Sequence, residues 1–385
     1  MSSDPNPWIS SLPFDPQTFD FETIPDGQGV FLLETEGEPY VNRSANLRRR
    51  LTRLLQSEQE EKRLNLRGVT RVIRYSTTGS VFESSVLLWR VARRLFPDSY
   101  RARLRLRPPV LLKLNLENEY PRCYLTRRLG SRGTYFGPFS SRAMAERVST
   151  AFLDLFKVRR CVEEIHPDPA HPGCIYGEMS MCLRPCQGAV AREVYLDETG
   201  RLGEFLSSQG GSLLTALGSE RERASAELDF EEAARLHKRL EKVEAALDFP
   251  DLMRRGGLAT DLEHLHGVVI QPSAAPQSVE LFPVYRAFLL PQITFSLAPD
   301  AETGKPVSLD ARLREVLSGL VPKPSGRRAE HLALLARWFY RGTRKGEYVA
   351  FVSFEKPPFR RLVNGIARVA RSSETPAPDA RSPET

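Results

Sequence analysis

Residues 29–55 set three elements side by side with little chain between them. Gly29-Val30-Phe31-Leu32-Leu33 and Glu38-Pro39-Tyr40-Val41 are short β-prone runs split by Thr35-Glu36-Gly37, which predicts a hairpin. Asn46 is then placed to cap a helix with Leu47, Leu51, Leu54 and Leu55 on one face and Arg48, Arg49, Arg50 and Arg53 near them. A strand thus delivers a tyrosine and the adjoining helix an arginine. Together with one carboxylate for a metal ion, these are the groups a phosphodiesterase needs: a phenol near the attacking water and a guanidinium for the phosphate's developing charge.

These residues resemble the GIY-YIG nuclease domain, specifically that of the excinuclease C (UvrC) family, which makes the 3' cut in bacterial nucleotide excision repair. Tyr40, Asn46, Leu47 and Arg50 match the family's YVGKAKNLRKRL segment. Glu83, fourteen residues before Pro97, matches the family's metal-binding glutamate. The resemblance implies catalytic roles for Tyr40, Arg43, Arg50 and Glu83, with Mg²⁺ or Mn²⁺ on Glu83. The departures are specific. Phe31 stands where the family has tyrosine and lacks its hydroxyl. Asn42 replaces a glycine, Arg43 replaces a lysine with changed geometry, and Asp98-Ser99 stands where the family carries an active-site asparagine.

Four of five cysteines cluster as Cys161, Cys174, Cys182 and Cys186. No signal peptide or long apolar span precedes them, so a cytoplasmic location is expected and metal binding is favoured over disulfides. Spacing alone leaves zinc and an iron-sulfur cluster both open. The segments Phe156 to Cys161, Pro172-Gly173-Cys174 and Met181 to Cys186 again resemble the UvrC family, in which such thiolates are associated with a [4Fe-4S] cluster. Zinc is the alternative. Gly133 to Ser141 extends the same resemblance, and Cys123 lies outside the pattern as a buried thiol.

Glu220 to Ala226 and Phe230 to Leu247 predict a helical hairpin, with Asp229 and Glu232 as a capping box before the second helix. Its wording from Ala224 to His237 resembles the UVR motif through which UvrC and UvrB associate. That implies UvrB as partner, contacted by Phe230, Glu231 and Leu236, with an exposed Phe230 as the apolar anchor.

The 55 Lys and Arg against 48 Asp and Glu give a net charge of +7. Arg101, Arg103, Arg105 and Arg107 alternate with apolar residues, so a strand there shows arginine on one face. With Arg48 and Arg49 these arginines are candidates for tracking the backbone of damaged double-stranded DNA. A solvated basic face is the plainer alternative. No sequence-reading module is present, and no membrane partner is expected.

The expected fold class is α+β, in consecutive units: a disordered segment over 1–24, a GIY-YIG-type mixed domain over 25–105 and a cysteine-rich metal-binding region over 106–204. A UVR helical hairpin over 205–250, a divergent mixed C-terminal domain over 251–370 and a disordered tail over 371–385 complete it. Strands are expected within 260–300, and a helix over His331 to Arg341. Asp261, Glu263 and Glu280 are scattered without the Asp-Gly-Gly strand of the family's second nuclease, so no 5' incision is assigned. Two functional classes follow: a UvrC-like endonuclease acting with UvrB, or a catalytically degenerate adaptor that binds UvrB and DNA.

Overall fold

The computed structural model describes residues 7–56, 66–130, 132–299, 308–320, 322–324 and 326–374. The architecture is α+β, with three antiparallel sheets separated by helices.

The first sheet has the order β1-β4-β2-β3, from β1 (Ser10–Pro13), β2 (Gly29–Thr35), β3 (Tyr40–Ser44) and β4 (Thr70–Thr77). The expected hairpin forms in a register that sets Phe31 opposite Asn42 and Leu33 opposite Tyr40. The Asn46 side chain caps α1 (Leu47–Leu55) by accepting the Arg49 N–H at 2.8 Å. Leu47, Leu51 and Leu55 bury against Phe31, Leu33, Ile73 and Tyr75. Gly29 has no room for a side chain, because a Cβ there would run into the Ser76 carbonyl and Leu47. After α2 (Leu66–Val69) and β4 comes α3 (Val81–Leu95), then α4 (Tyr100–Arg103).

Two expectations are corrected here. The segment 1–24 is ordered in part: β1 pairs with β4, and Phe14 and Ile24 close the small core beside α1. Its first six residues lie outside the described residues. The alternating arginines do not form a strand either. Residues 100–103 are helical and Arg105 turns at φ 48°, because the buried Tyr100 and Leu106 anchor the segment from two directions. Burial of those two residues overrides the period-2 pattern.

The second sheet, β6-β5-β7-β8, comprises β5 (Val110–Asn115), β6 (Arg122–Thr126), β7 (Thr134–Phe139) and the two-residue β8 (Thr260–Asp261). The helices α5 (Arg142–Leu153), α6 (Ile175–Glu178), α7 (Arg192–Ser207), α8 (Gly211–Ala226) and α9 (Phe230–Ala246) follow β7. The predicted hairpin is α8–α9, with Asp229 accepting the Glu232 N–H at 3.1 Å. It is not a separate body. Leu213, Leu217, Leu236 and Val243 share one core with Phe136, Phe152 and Phe205.

The third sheet runs β11-β10-β9-β13, with β12 also on β10. Its strands are β9 (His266–Pro272), β10 (Ser278–Tyr285), β11 (Phe288–Leu289), β12 (Ile293–Ser296) and β13 (Glu347–Phe351). One face carries α10 (Leu309–Ser318) and α12 (Phe359–Glu374) through Leu313, Leu317, Leu362 and Ile366. The other carries α11 (Arg328–Phe339), the helix expected near His331. That face also packs α3, so Phe82, Val86 and Trp89 share a core with Val269, Phe282 and Trp338. Thus α3 touches the first sheet on one side and the third on the other. The proposed divisions at 105, 204 and 250 therefore do not separate independent cores. Residues 371–374 of the expected disordered tail belong to α12, and the rest lie outside the described residues. No described helix is long and apolar enough to cross a membrane.

Candidate active site and cysteine centre

Strand β3 is an edge strand, so its side chains reach the rim of the first sheet. Tyr40, Asn42 and Arg43 line a cleft of about 430 Å³ with Ser85 and Leu88 of α3, Arg103, and Arg337 of α11. Asn42, in ordinary strand conformation, donates Nδ2–H to the Tyr40 hydroxyl at 3.1 Å and accepts the Arg43 N–H at 2.8 Å. The residue replacing glycine is thus built into the site. Phe31 is fully buried, its ring 6.0 Å from that of Tyr40, so it serves the core beneath the cleft. Burial, together with Arg341 and Arg337, lowers the Arg43 guanidinium below its ordinary range. Arg50 lies half-buried on α1 and does not line this cleft.

Glu83 stands apart from that cluster. It is the third residue of α3, where the Ser80 Oγ accepts its N–H at 3.0 Å and its own Oε2 accepts the Gly79 N–H at 2.8 Å. Ser80 to Glu83 therefore works as a variant of the capping box. Its other oxygen accepts Gln292 Nε2–H at 2.9 Å, and the same nitrogen donates to Glu280 Oε2 at 2.8 Å. Ser273 and Thr294 hydroxyls complete the shell of Glu280. Burial, and then the neighbouring Glu280, raise Glu83 to about 7, against donors that favour its charged form. Glu83 is 8% exposed.

A hydrated Mg²⁺ or Mn²⁺ on Glu83 does not fit this arrangement. Both carboxylate oxygens are occupied by N–H donors, and the third sheet covers the group. Among the described residues no three His, Cys, Asp or Glu side chains form a group able to hold one metal ion. Asp261 and Glu263 do not join Glu280: Asp261 accepts the Glu263 N–H, and Glu263 pairs with Arg328 at 2.7 Å. Sequence reading missed Gln292 and took Glu280 only as a scattered carboxylate, and nothing in their spacing pointed to Glu83.

The four cysteines do converge. Cys161 follows α5, Cys174 precedes α6, and Cys182 and Cys186 flank the turn at Arg184, which holds φ 56°. All four line one small cavity with Arg159, Tyr176 and Arg184. Cys182 Sγ accepts the Arg184 N–H at 3.4 Å, and Arg159 donates to Cys161 Sγ at 3.6 Å. Burial pushes the Cys182 thiol up to about 11, with a smaller contribution from the other three sulfurs. The four thiols gather at one cavity, and the sulfurs of Cys161 and Cys182 accept N–H donors, but among the described residues the quartet is not arranged to hold a metal ion as it stands. Cys123 is in the core instead, its thiol raised by burial to about 12.

The remaining candidates divide by exposure. At the α8–α9 turn Phe230 is 69% exposed and Leu228 is 71% exposed, while Glu231 is exposed beside them. Leu236 is corrected: it is 5% exposed and packs inside the hairpin, because the helix face with Val243 turns toward α8 and the sheet. Arg48 is tied to Glu22, Arg101 to Glu330 and Arg103 to Glu38, whereas Arg49 and Arg105 face solvent.

Comparison with known proteins agrees with the central part of this layout. Residues 110–204 match the UvrC/Cho excinuclease middle domain, and residues 211–246 match the UvrB/uvrC motif. The UvrABC system protein C of Rickettsia africae is 27% identical over 68% of this chain and 40% of its own length. That of Nitratidesulfovibrio vulgaris is 28% identical over 73% of this chain and 42% of its own. The chain thus spans about two fifths of the length of the curated relatives it matches. No solved structure matches it. A middle domain containing all four clustered cysteines, followed directly by the α8–α9 motif, makes this chain UvrC-like over that part of its length.

Proposed function

We propose that this protein is a UvrC-like subunit of nucleotide excision repair that binds UvrB through the tip of α8–α9 and holds damaged duplex DNA on its basic surface. The carrying observation is the order of the two matched segments, with the exposed Leu228 and Phe230 at the turn of the second. A pull-down of UvrB by the wild type and by Phe230→Ala tests it. Loss of capture in the variant is expected; equal capture removes Phe230 as the anchor.

Incision on the 3' side is one reading of the amino-terminal cleft. There Tyr40, its hydroxyl oriented by Asn42, would steer a water, while Arg43 would bind the phosphate; Arg50, named with them from the sequence, lies outside the cleft. The adaptor reading is favoured by Glu83, whose carboxylate serves the start of α3 and the third sheet. An incision assay on a lesion-bearing duplex with UvrA, UvrB and Mg²⁺ separates the two, comparing wild type with Tyr40→Phe. Cutting by the wild type alone supports the enzyme, and absence of cutting in both supports the adaptor.

The cysteine quartet is proposed as the site of a [4Fe-4S] cluster, with zinc as the alternative. Cys161, Cys174, Cys182 and Cys186 would hold it, and the bound group would tie three loop segments together. Broad visible absorbance of anaerobically purified protein, from thiolate-to-iron charge transfer, is the expected result. A colourless protein containing zinc selects the alternative.

A further inference from the structure

The cleft beside Tyr40 does not end at Arg337. The same residue lines a second cleft of about 300 Å³, with Arg105, Arg107, Arg127, Ser140 and Ser141 and other residues of α11. Arg337 lines both. Among the described residues no aspartate or glutamate lines either one. Two neighbouring acids are engaged: Glu38 pairs with Arg103, and the buried Asp251 accepts the Ser140 N–H at 2.6 Å.

Arg337 is held by the turn that the arginine-rich segment makes. Its guanidinium donates to the Leu104 carbonyl at 3.3 Å and to the Arg105 carbonyl at 2.5 Å, which leaves the positive charge without a carboxylate. Arg127 is treated the same way, donating to the Pro108 carbonyl at 2.7 Å. Carbonyl partners fix a guanidinium in place but do not neutralise it. Cations gathered along one path with no counter-ion repel each other, and a polyanion relieves that repulsion.

We infer that these two clefts form one continuous track for a single nucleic-acid strand, its phosphodiester backbone passing Arg43, Arg337 and Arg107. The inference rests on the DNA-binding part of the proposed function and deepens it. The track uses three regions far apart in sequence: the rim of the first sheet, the turn after α4 with the edge of the second sheet, and α11 of the third. Clefts of this volume admit one strand and exclude a duplex, whose major groove alone is about 12 Å wide. The strand therefore enters unpaired, from an opened or frayed stretch. Ser140 and Ser141, at the start of α5, add hydroxyl donors beside the arginines.

The test is fluorescence anisotropy of the full chain with a labelled single-stranded oligonucleotide and with a hairpin duplex of the same sequence, over a range of salt. Arg337→Glu is expected to weaken single-strand binding at least about tenfold and to lower the slope of log affinity against log salt by about 1–2. Arg107→Ala, whose side chain has no structural partner among the described residues, should lower it by about 1 without altering the fold. Lys356→Glu, an exposed charge reversal outside both clefts, should leave the strand affinity within about twofold. If the wild type binds neither probe, the DNA-binding reading and the track fall together. If it binds and Arg337→Glu and Arg107→Ala bind equally well, or if only the duplex binds, the track is overturned while DNA binding stands.

Discussion

Glu83 shows how one side chain can carry two readings. At sequence level it stands at the position of a metal-binding glutamate; in the fold it caps a helix and shares Gln292 with Glu280. Its ionisation is coupled to folding. Because the folded value is raised to about 7, the native state binds more protons than the unfolded chain between the two values. Stability is therefore fullest at mildly acidic pH and falls as the pH rises through 7. The loss between pH 5 and 8 is expected to be on the order of 2–3 kcal/mol. Urea unfolding at both values measures it, and Glu83→Gln should flatten the dependence; an equally steep profile in the variant would assign the effect elsewhere. Glu280→Gln removes the second charge, so it should also flatten the profile, with the transition moved to lower pH. The capping role shared by Ser80 and Glu83 emerged from the structure, although the two lie three residues apart. So did the contact with Gln292, which lies 209 residues away.

At the scale of the element, local chemistry wrote most of the secondary structure. Asn46 starts α1 and Asp229 starts α9, each by a side-chain oxygen on the expected backbone N–H. The strand expected over 101–107 gave way to burial of Tyr100 and Leu106, and Tyr100 and Arg101 both hydrogen-bond to Glu330. The α8–α9 turn departs from a simple turn as well. Leu228 holds φ 62° at 71% exposure, a left-handed conformation that a leucine adopts at a cost of about 1 kcal/mol. Leu228→Gly relieves that strain and should raise or preserve the melting temperature. If the turn docks a partner, the same variant should weaken capture of UvrB. A variant that is less stable yet binds normally would count against both halves of the argument. Asp229→Ala, in contrast, removes the cap of α9 and should cost about 1 kcal/mol in urea unfolding.

Across the whole molecule, α3 is the element that joins the parts. Buried Glu330 on α11 accepts Trp89 Nε1–H at 3.0 Å and the Tyr100 hydroxyl at 2.6 Å, and pairs with Arg101 at 2.9 Å. Glu330→Ala leaves two buried donors unmatched and should cost about 3 kcal/mol, with a single unfolding transition that shifts as one. Two separate transitions would show that the third sheet folds apart from α3. Gly79 reports the same closeness, since a Cβ there would meet the Pro272 and Ser273 backbone between β9 and β10. The hairpin, the capped helices, the cysteine cluster and the exposed Phe230 were legible from sequence alone, because the turns and caps depend on residues a few positions apart and the four cysteines all fall within residues 161–186. What covers Glu83, why Leu236 is buried and how Arg43, Arg337 and Arg107 come to one path were decided only by the tertiary structure. Those relations join residues as much as 294 positions apart by the arithmetic of their numbers, and packing alone sets which distant surfaces meet.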